Sequence, residues 1–164
     1  MGLRPSAPNE SRVAAMKPGE LLWLAVEPVY NRISTDSPSA FLDGFSQVLP
    51  AQGHLFAAYC ARSEVRDGGL HGFFLNSAGV MGPETARGLR FLEQPEIAEI
   101  VERAVALFGP DYPRGHEKRE AALERLTRER NPFTAMDKEL EKALESFEKR
   151  MDDFIRRNMD FFFG

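Results

Sequence analysis

Four polar side chains that could act as acids, bases or ligands lie close together in one stretch of the chain. Residues 64–79 read EVRDGGLHGFFLNSAG and include Glu64, Asp67, His71 and Asn76. An acidic residue near a histidine can serve in acid-base catalysis, and all four side chains could converge on a small polar pocket. The run contains no phosphate-binding loop and supplies no activated nucleophile. Its chemistry would therefore be proton transfer or the binding of a small polar molecule.

The cysteine and histidine content argues against a metal site. Cys60 is the only cysteine, so an intrachain disulfide cannot form, and His54, His71 and His116 lack metal-ligand spacing. Cys60 lies on an apolar stripe with no basic partner nearby in sequence, which predicts a small buried residue rather than a reactive thiol. We expect no metal, no cofactor and no catalytic residue, unless the polar run forms a pocket.

The composition indicates a globular protein with a slight acidic excess. The 164 residues are 43% hydrophobic and 28% charged, and the formal net charge is -4. This balance excludes a disordered or fibrous chain and argues against direct nucleic-acid binding, which favours a strong basic excess. Residues 1–18 lack the apolar run of a signal peptide, and no segment is apolar enough to span a membrane. We expect a cytoplasmic protein with a flexible tail at 1–18 and one domain at 19–164.

Apolar spacing predicts an all-α bundle of about six to eight helices. Apolar residues recur at intervals of three and four, and prolines and glycines separate the periodic segments. In the first helix this pattern places Trp23 and Tyr30 on the buried face. A short strand at 72–75 is a weaker alternative to a helix there. The predicted helices span residues 20–34, 38–49, 51–63, 70–77, 83–92, 95–108, 116–130 and 135–162.

The last predicted helix is unusually long. Over 28 residues it would extend about 42 Å, and its apolar residues alternate in steps of four and three, the period of a coiled-coil seam. This pattern is compatible with core packing within one chain or with a partner helix. The second alternative predicts a homodimer through Leu140, Phe147, Met151, Phe154 and the terminal run of three phenylalanines.

The run at 64–79 resembles the signature of a bacterial family of all-helical proteins named for a DNA-mimic member, the DMP-nineteen type. The family pattern reads approximately E-V-x-N-G-G-F-x-Q-[FY]-F-x-N-S-x-G. Asp67 stands where the family usually has Asn, Leu70 where it has Phe, and Gly72 where it has Gln. The matching residues are Glu64, Val65, Gly68, Gly69, Phe73 or Phe74, Asn76, Ser77 and Gly79.

The resemblance implies a non-enzymatic interaction protein. The named member of the family binds DNA-binding proteins through an acidic surface that imitates phosphate, and the family is not one of known enzymes. By resemblance we expect a basic or DNA-binding partner protein, a role in transcription regulation, a homodimer, and no direct contact with nucleic acid or membrane. The alternative is the small-molecule or catalytic pocket at 64–76.

The family motif also has a purely structural explanation. Glu64 would end one helix, and Gly68 and Gly69 would adopt backbone angles closed to other residues. Asp67 would then cap the next helix, and Asn76 would end it. The sequence leaves this explanation and the polar pocket open.

A row of glutamates is the candidate surface for a basic partner. Glu93, Glu96, Glu99 and Glu102 recur every three residues, so the last three rise about 4.5 Å per step along one side of a predicted helix. Such a row could attract a protein that normally binds DNA, although an ordinary solvated face also explains the pattern. From residue 116 onward, twelve acidic and eleven basic residues are interleaved, which is less acidic than a strong mimic requires.

Overall fold

Residues 4–164 are described by a computed structural model in which ten α-helices and one 3-10 helix follow one another without a strand. The prediction of an all-α fold is confirmed. The α-helices are α1 (Glu10–Ala15), α2 (Glu20–Tyr30), α3 (Pro38–Ser46), α4 (Pro50–Leu75), α5 (Gly82–Phe91), α6 (Pro95–Ala106), α7 (His116–Thr127), α8 (Thr134–Ala143), α9 (Phe147–Arg157) and α10 (Met159–Phe162), and the 3-10 helix spans Ser77–Met81.

The 26-residue helix α4 is the central element of the fold. It contacts α2, α5, α7, α8, α10 and the 3-10 helix. The sequence predicts two separate helices here, whereas α4 is continuous except at Gly69, where the backbone leaves helical geometry with φ 66° and ψ -169°. Leu70, Phe73 and Phe74, which follow this kink, are fully buried. The kink therefore redirects the second half of α4 so that its apolar residues enter the core.

Helix α2 begins at a glycine and is capped by a residue from the other end of the chain. The first N–H groups of a helix have no partner within the helix, and Gly19 at the N-cap has no side chain to accept from them. Asp152 of α9 does so instead, accepting from the backbone N–H of Gly19 at 2.7 Å and of Leu22 at 2.9 Å. Asp152 is only 6% exposed, so this contact also fixes how α9 packs on α2.

The predicted long C-terminal helix is wrong, because the chain forms α8, α9 and α10 in its place. Helix α8 ends at Ala143, whose carbonyl accepts a hydrogen bond from the Arg150 guanidinium in α9. Helix α8 packs on α6 and α4, whereas α9 packs on α2. The break between α8 and α9 lets the apolar residues of the two helices pack against different parts of the core.

The residues predicted to form a dimer seam lie inside the chain's own core. Leu140, Phe147, Met151 and Phe154 are each at most 3% exposed. Of the terminal phenylalanines, Phe161 is exposed and the next two are buried. This burial favours the alternative in which the seam pattern reports core packing within one chain, and a homodimer stays a prediction.

Part of the segment predicted as a flexible tail is helical. Val13 of α1 is buried, the Arg4 guanidinium donates to the Asp160 carbonyl at 2.6 Å, and the Gly164 N–H donates to the Pro5 carbonyl at 2.9 Å. These contacts join the described N-terminal residues to the C-terminus. The domain boundary at residue 19 stays a prediction.

The cap of α2 can be tested with two adjacent aspartates. We expect Asp152→Ala to lower the free energy of unfolding by about 1 to 2 kcal/mol, because it leaves two N–H groups at a helix start without an acceptor. Asp153→Ala is the matched control, since Asp153 is half-exposed and pairs only with Arg156 on the same helix; its cost should stay below about 0.5 kcal/mol. Urea denaturation gives both values, and equal costs would contradict the role of Asp152.

Candidate functional site

The two polar ends of the family-like motif contact each other. The Asn76 side-chain amide donates to a carboxylate oxygen of Glu64 at 2.7 Å. These residues lie twelve positions apart, on either side of the kink at Gly69. This hydrogen bond therefore connects the two halves of α4 and gives the Glu64 carboxylate a partner within the motif.

Gly69 is required by the close approach of α8. A side chain at Gly69 would place its Cβ 2.8 Å from a carboxylate oxygen of Asp137, and the positive φ of this residue also favours glycine. The other carboxylate oxygen of Asp137 accepts from the Leu70 N–H at 2.9 Å. Asp137 thus caps the second half of α4 from a different helix. A Cβ at Gly68 would meet no atom within 4 Å, so space does not demand that glycine.

Asp67 does not cap the second half of α4, contrary to the sequence prediction. The side chain is exposed and makes no hydrogen bond or ion pair with another residue in the range 4–164. The sequence correctly predicts that a helix starts after the two glycines. The predicted cap, Asp67, is the nearest acidic residue, whereas the observed cap, Asp137, lies 70 positions further along the chain.

The C-terminal end of α4 is held by a buried arginine. Arg119 of α7 is 1% exposed, and its guanidinium donates to the carbonyls of Phe74 at 2.6 Å, Asn76 at 3.0 Å and Arg114 at 2.7 Å. Burial lowers the pKa of Arg119, and carbonyl groups at a helix C-terminus are suitable partners for the retained positive charge. A Cβ at Gly79 would lie 2.5 Å from Arg119 Nε, which explains the last glycine of the motif.

An ion pair joins the loop between α6 and α7 to α5, and a hydrogen bond joins the same loop to the 3-10 helix. Arg114 donates two hydrogen bonds to the buried carboxylate of Glu84, at 2.6 and 2.9 Å, and a third to the Val80 carbonyl. These bonds raise the pKa of Arg114. Sequence reasoning missed Glu84, Arg114 and Arg119. Arg119 lies in a densely charged run, where nothing in the sequence marks one arginine as buried.

The four polar candidates do not converge on one pocket. Glu64 and Asn76 meet, whereas neither Asp67 nor His71 has a side-chain hydrogen bond or ion pair within residues 4–164. A groove of about 280 Å³ beside Glu64 is lined by hydroxyl and aromatic residues together with Cys60. Burial raises the pKa of the Cys60 thiol to about 12, so this sulfur is not a thiolate at neutral pH.

The glutamate row divides into paired and unpaired members. Arg90 of α5 donates two hydrogen bonds of 2.8 Å to Glu102 and thereby lowers the pKa of that carboxyl. Arg157 of α9 donates to Glu93, which lies beyond the end of α5 with φ 59°. Both ends of the row are therefore partly neutralised by arginines.

Glu96 and Glu99 form the unpaired middle of the row. Both are exposed, and neither has an ion pair among the described residues. They line an open groove of about 570 Å³ between α6 and the end of α8. Arg103 of α6 also lines the groove, and the opposite wall carries charges of both signs, contributed by Glu139, Lys142, Glu145 and Arg150.

The family model of DMP19-like proteins matches residues 46–158, which run from the last residue of α3 through α9 and include the whole motif. The chain belongs to the DMP19-like protein family. The predicted family is thus confirmed. No curated protein and no solved structure gives a significant match to this chain.

Within the DMP19-like region, the motif positions have structural roles that the contacts explain. Gly69 and Gly79 leave room for Asp137 and Arg119, and the Glu64–Asn76 bond connects the halves of α4. Over residues 4–164, no three His, Cys, Asp or Glu side chains form a group that could hold a metal ion, and no helix is long and apolar enough to cross a membrane. These contacts favour the structural explanation of the motif over the polar pocket.

Replacing the two candidate caps separately tests this structural explanation. We expect Asp137→Ala to lower the free energy of unfolding by about 1 to 2 kcal/mol, because the Leu70 N–H loses its acceptor at a helix start. Asp67→Ala should change it by less than about 0.5 kcal/mol, because that side chain is exposed. Chemical denaturation of both variants distinguishes the two residues. A larger cost for Asp67→Ala would restore it as the cap.

Proposed function

We propose that this protein is a non-enzymatic, cytoplasmic interaction module that binds a basic or DNA-binding partner protein through α6. The observation that carries this proposal is the pair of exposed, unpaired carboxylates of Glu96 and Glu99 at the open groove beside α8. Membership of the DMP19-like family, whose named member binds DNA-binding proteins, supports the same class of partner. A partner whose DNA-binding surface is covered in this way would be kept from DNA, which would regulate transcription.

The spacing of these carboxylates suits a short phosphate-like contact. Glu96 and Glu99 are about 4.5 Å apart along the helix axis, and successive phosphates of one DNA strand are about 3.4 Å apart along the duplex axis. Two free charges imitate only a short stretch of backbone, so we infer a local and salt-sensitive contact. Lysine or arginine side chains that normally neutralise phosphates would be attracted to this face.

The paired glutamates at the ends of the row can contribute to binding if an arginine of the partner protein replaces the intramolecular one. In the Arg90–Glu102 pair the side chains are 48% and 41% exposed, and in the Arg157–Glu93 pair 59% and 61%. Exposed ion pairs contribute at most about 1 kcal/mol, so a partner's arginine can replace the intramolecular one at small cost. The displaced arginines remain nearby, which limits the affinity and favours partners with flexible basic side chains.

A charge-matched pair of variants tests the proposed face. We expect Glu96→Gln with Glu99→Gln to abolish capture of DNA-binding proteins from a lysate of the native host, because only these two carboxylates of the row lack an arginine partner. Glu124→Gln with Glu129→Gln removes the same charge from exposed positions elsewhere and should leave capture intact. Mass spectrometry identifies the captured proteins at low and at moderate salt.

Competition with duplex DNA completes this test. If the face imitates phosphate, duplex DNA should displace the captured protein, and moderate salt should weaken capture. Equal capture by both variants, or capture that resists DNA and salt, would contradict the proposal. Circular dichroism of each variant establishes that the helical fold is retained.

A further inference from the structure

The outward face of α2 alternates carboxylates and aromatic rings. Glu20, Trp23, Glu27 and Tyr30 are spaced by three, four and three residues, which places them on one side of the helix. All four are exposed, Trp23 by 39% and Tyr30 by 41%. The sequence prediction that these two aromatic residues are buried is wrong. The opposite face of α2 enters the core, through Leu21, Leu22, Ala25, Val26 and Val29.

Tyr59 of α4 completes a cluster of three rings on this face. The ring centroids lie 5.5 Å apart for Trp23 and Tyr30, 5.7 Å for Trp23 and Tyr59, and 5.9 Å for Tyr30 and Tyr59. Tyr30 also rests on the buried ring of Phe56 at 6.2 Å. Each ring lies within aromatic contact distance of the other two, so the three form a continuous aromatic ridge.

A shallow groove lies on each side of this aromatic ridge, and both grooves are acidic. One, of about 320 Å³, is lined by residues that include Glu20 and Glu148, and the other, of about 280 Å³, includes Glu64. Among the residues that line the two grooves and the ridge, four carboxylates, of Glu20, Glu27, Glu64 and Glu148, stand against one cation, Arg62. Arg62 pairs with Glu148, Glu64 accepts from Asn76 and Glu20 accepts from the Lys17 N–H, which leaves Glu27 without a hydrogen bond or ion pair within residues 4–164. The surface is therefore complementary to a cationic occupant.

We propose that the aromatic ridge binds an extended, arginine-bearing segment of a partner protein. A guanidinium is planar and stacks on aromatic faces while donating to carboxylates, whereas an ammonium is a compact and strongly hydrated charge. Trp is the best aromatic partner for a cation, and Trp, Tyr and Arg dominate the energetics of protein interfaces. An arginine stacked on Trp23 reaches Glu20 or Glu27, and neighbouring residues of the segment lie in the grooves.

This surface is separate from the one proposed on α6. The grooves beside the ridge share no lining residue with the groove that contains Glu96 and Glu99. In addition, α2 lies outside the residues matched by the DMP19-like family model. The ridge therefore goes beyond the proposed function, and the two surfaces can fail or succeed independently.

Trp23 gives a direct signal for this interaction, because it is the only tryptophan of the chain. The probes are two blocked octapeptides of equal charge, one alternating Arg and Gly and the other alternating Lys and Gly. We expect the arginine peptide to change the Trp23 fluorescence saturably and to bind more tightly than the lysine peptide. Equal binding of both peptides would show that charge alone is recognised and would overturn the ridge as an arginine site.

Variants of the full-length protein separate the ridge from α6. By isothermal titration calorimetry, we expect Trp23→Leu to weaken binding of the arginine peptide about tenfold and Glu27→Gln about threefold. Glu96→Gln with Glu99→Gln should leave the affinity unchanged, since those residues belong to the other surface. Glu27→Gln removes no packing contact and serves as the informative variant if Trp23→Leu does not fold.

Three further results would overturn the proposal. Unchanged affinity of a folded Trp23→Leu variant would exclude the ridge, and loss of binding only in the Glu96 and Glu99 variant would assign the peptide to α6. A mass in sedimentation equilibrium that doubles with concentration, together with a blue shift of Trp23 emission, would show that a second copy of the chain covers the ridge.

Discussion

A six-residue stretch of helix, residues 70–75, depends on charged side chains from elsewhere at both of its ends. Asp137 accepts from its first N–H, and Arg119 donates to the carbonyls at its end. A helix this short is not stable by itself, because nucleation costs more than a few internal hydrogen bonds return. The two remote contacts stabilise this segment, which buries Phe73 and Phe74. The core is therefore built around a short helix whose two ends are capped by residues of other helices.

Capping by side chains of other helices also explains why the C-terminal region is broken into separate helices. Asp137 on α8 caps the second half of α4, and Asp152 on α9 caps α2. Hydrophobic contact has no preferred direction, whereas a carboxylate that receives helix N–H groups fixes both position and orientation. The chain must turn between α8 and α9 so that each aspartate reaches its own target, and Arg150 satisfies the carbonyl that this turn exposes.

The sequence predicts well whatever depends on near neighbours. The helix starts at Pro38 and Pro95 follow from local chemistry, and the Ser37 side chain accepts from the Ala40 N–H as an N-cap should. The caps by Asp137, Asp152 and Arg119 join residues 45 to 133 positions apart, and no local pattern identifies them. The single helix predicted over 135–162 is wrong for a related reason, because apolar spacing records buried faces but not whether one helix carries them.

Whether a carboxylate is already paired within the chain determines where a basic partner protein can bind. Glutamates near the helix junctions are engaged by arginines of the same chain, as Glu84 is by Arg114 and Glu102 by Arg90. Such pairs maintain the fold and reduce the local negative field, so the modest net charge of -4 does not describe a uniformly acidic surface. Carboxylates without an ion pair lie on both proposed surfaces, in the middle of α6 and on the outer stripe of α2, and also at other exposed positions such as Asp67. Recognition of basic partners would therefore depend on a few positioned charges, and on α2 on the rings between them, rather than on the overall charge of the protein.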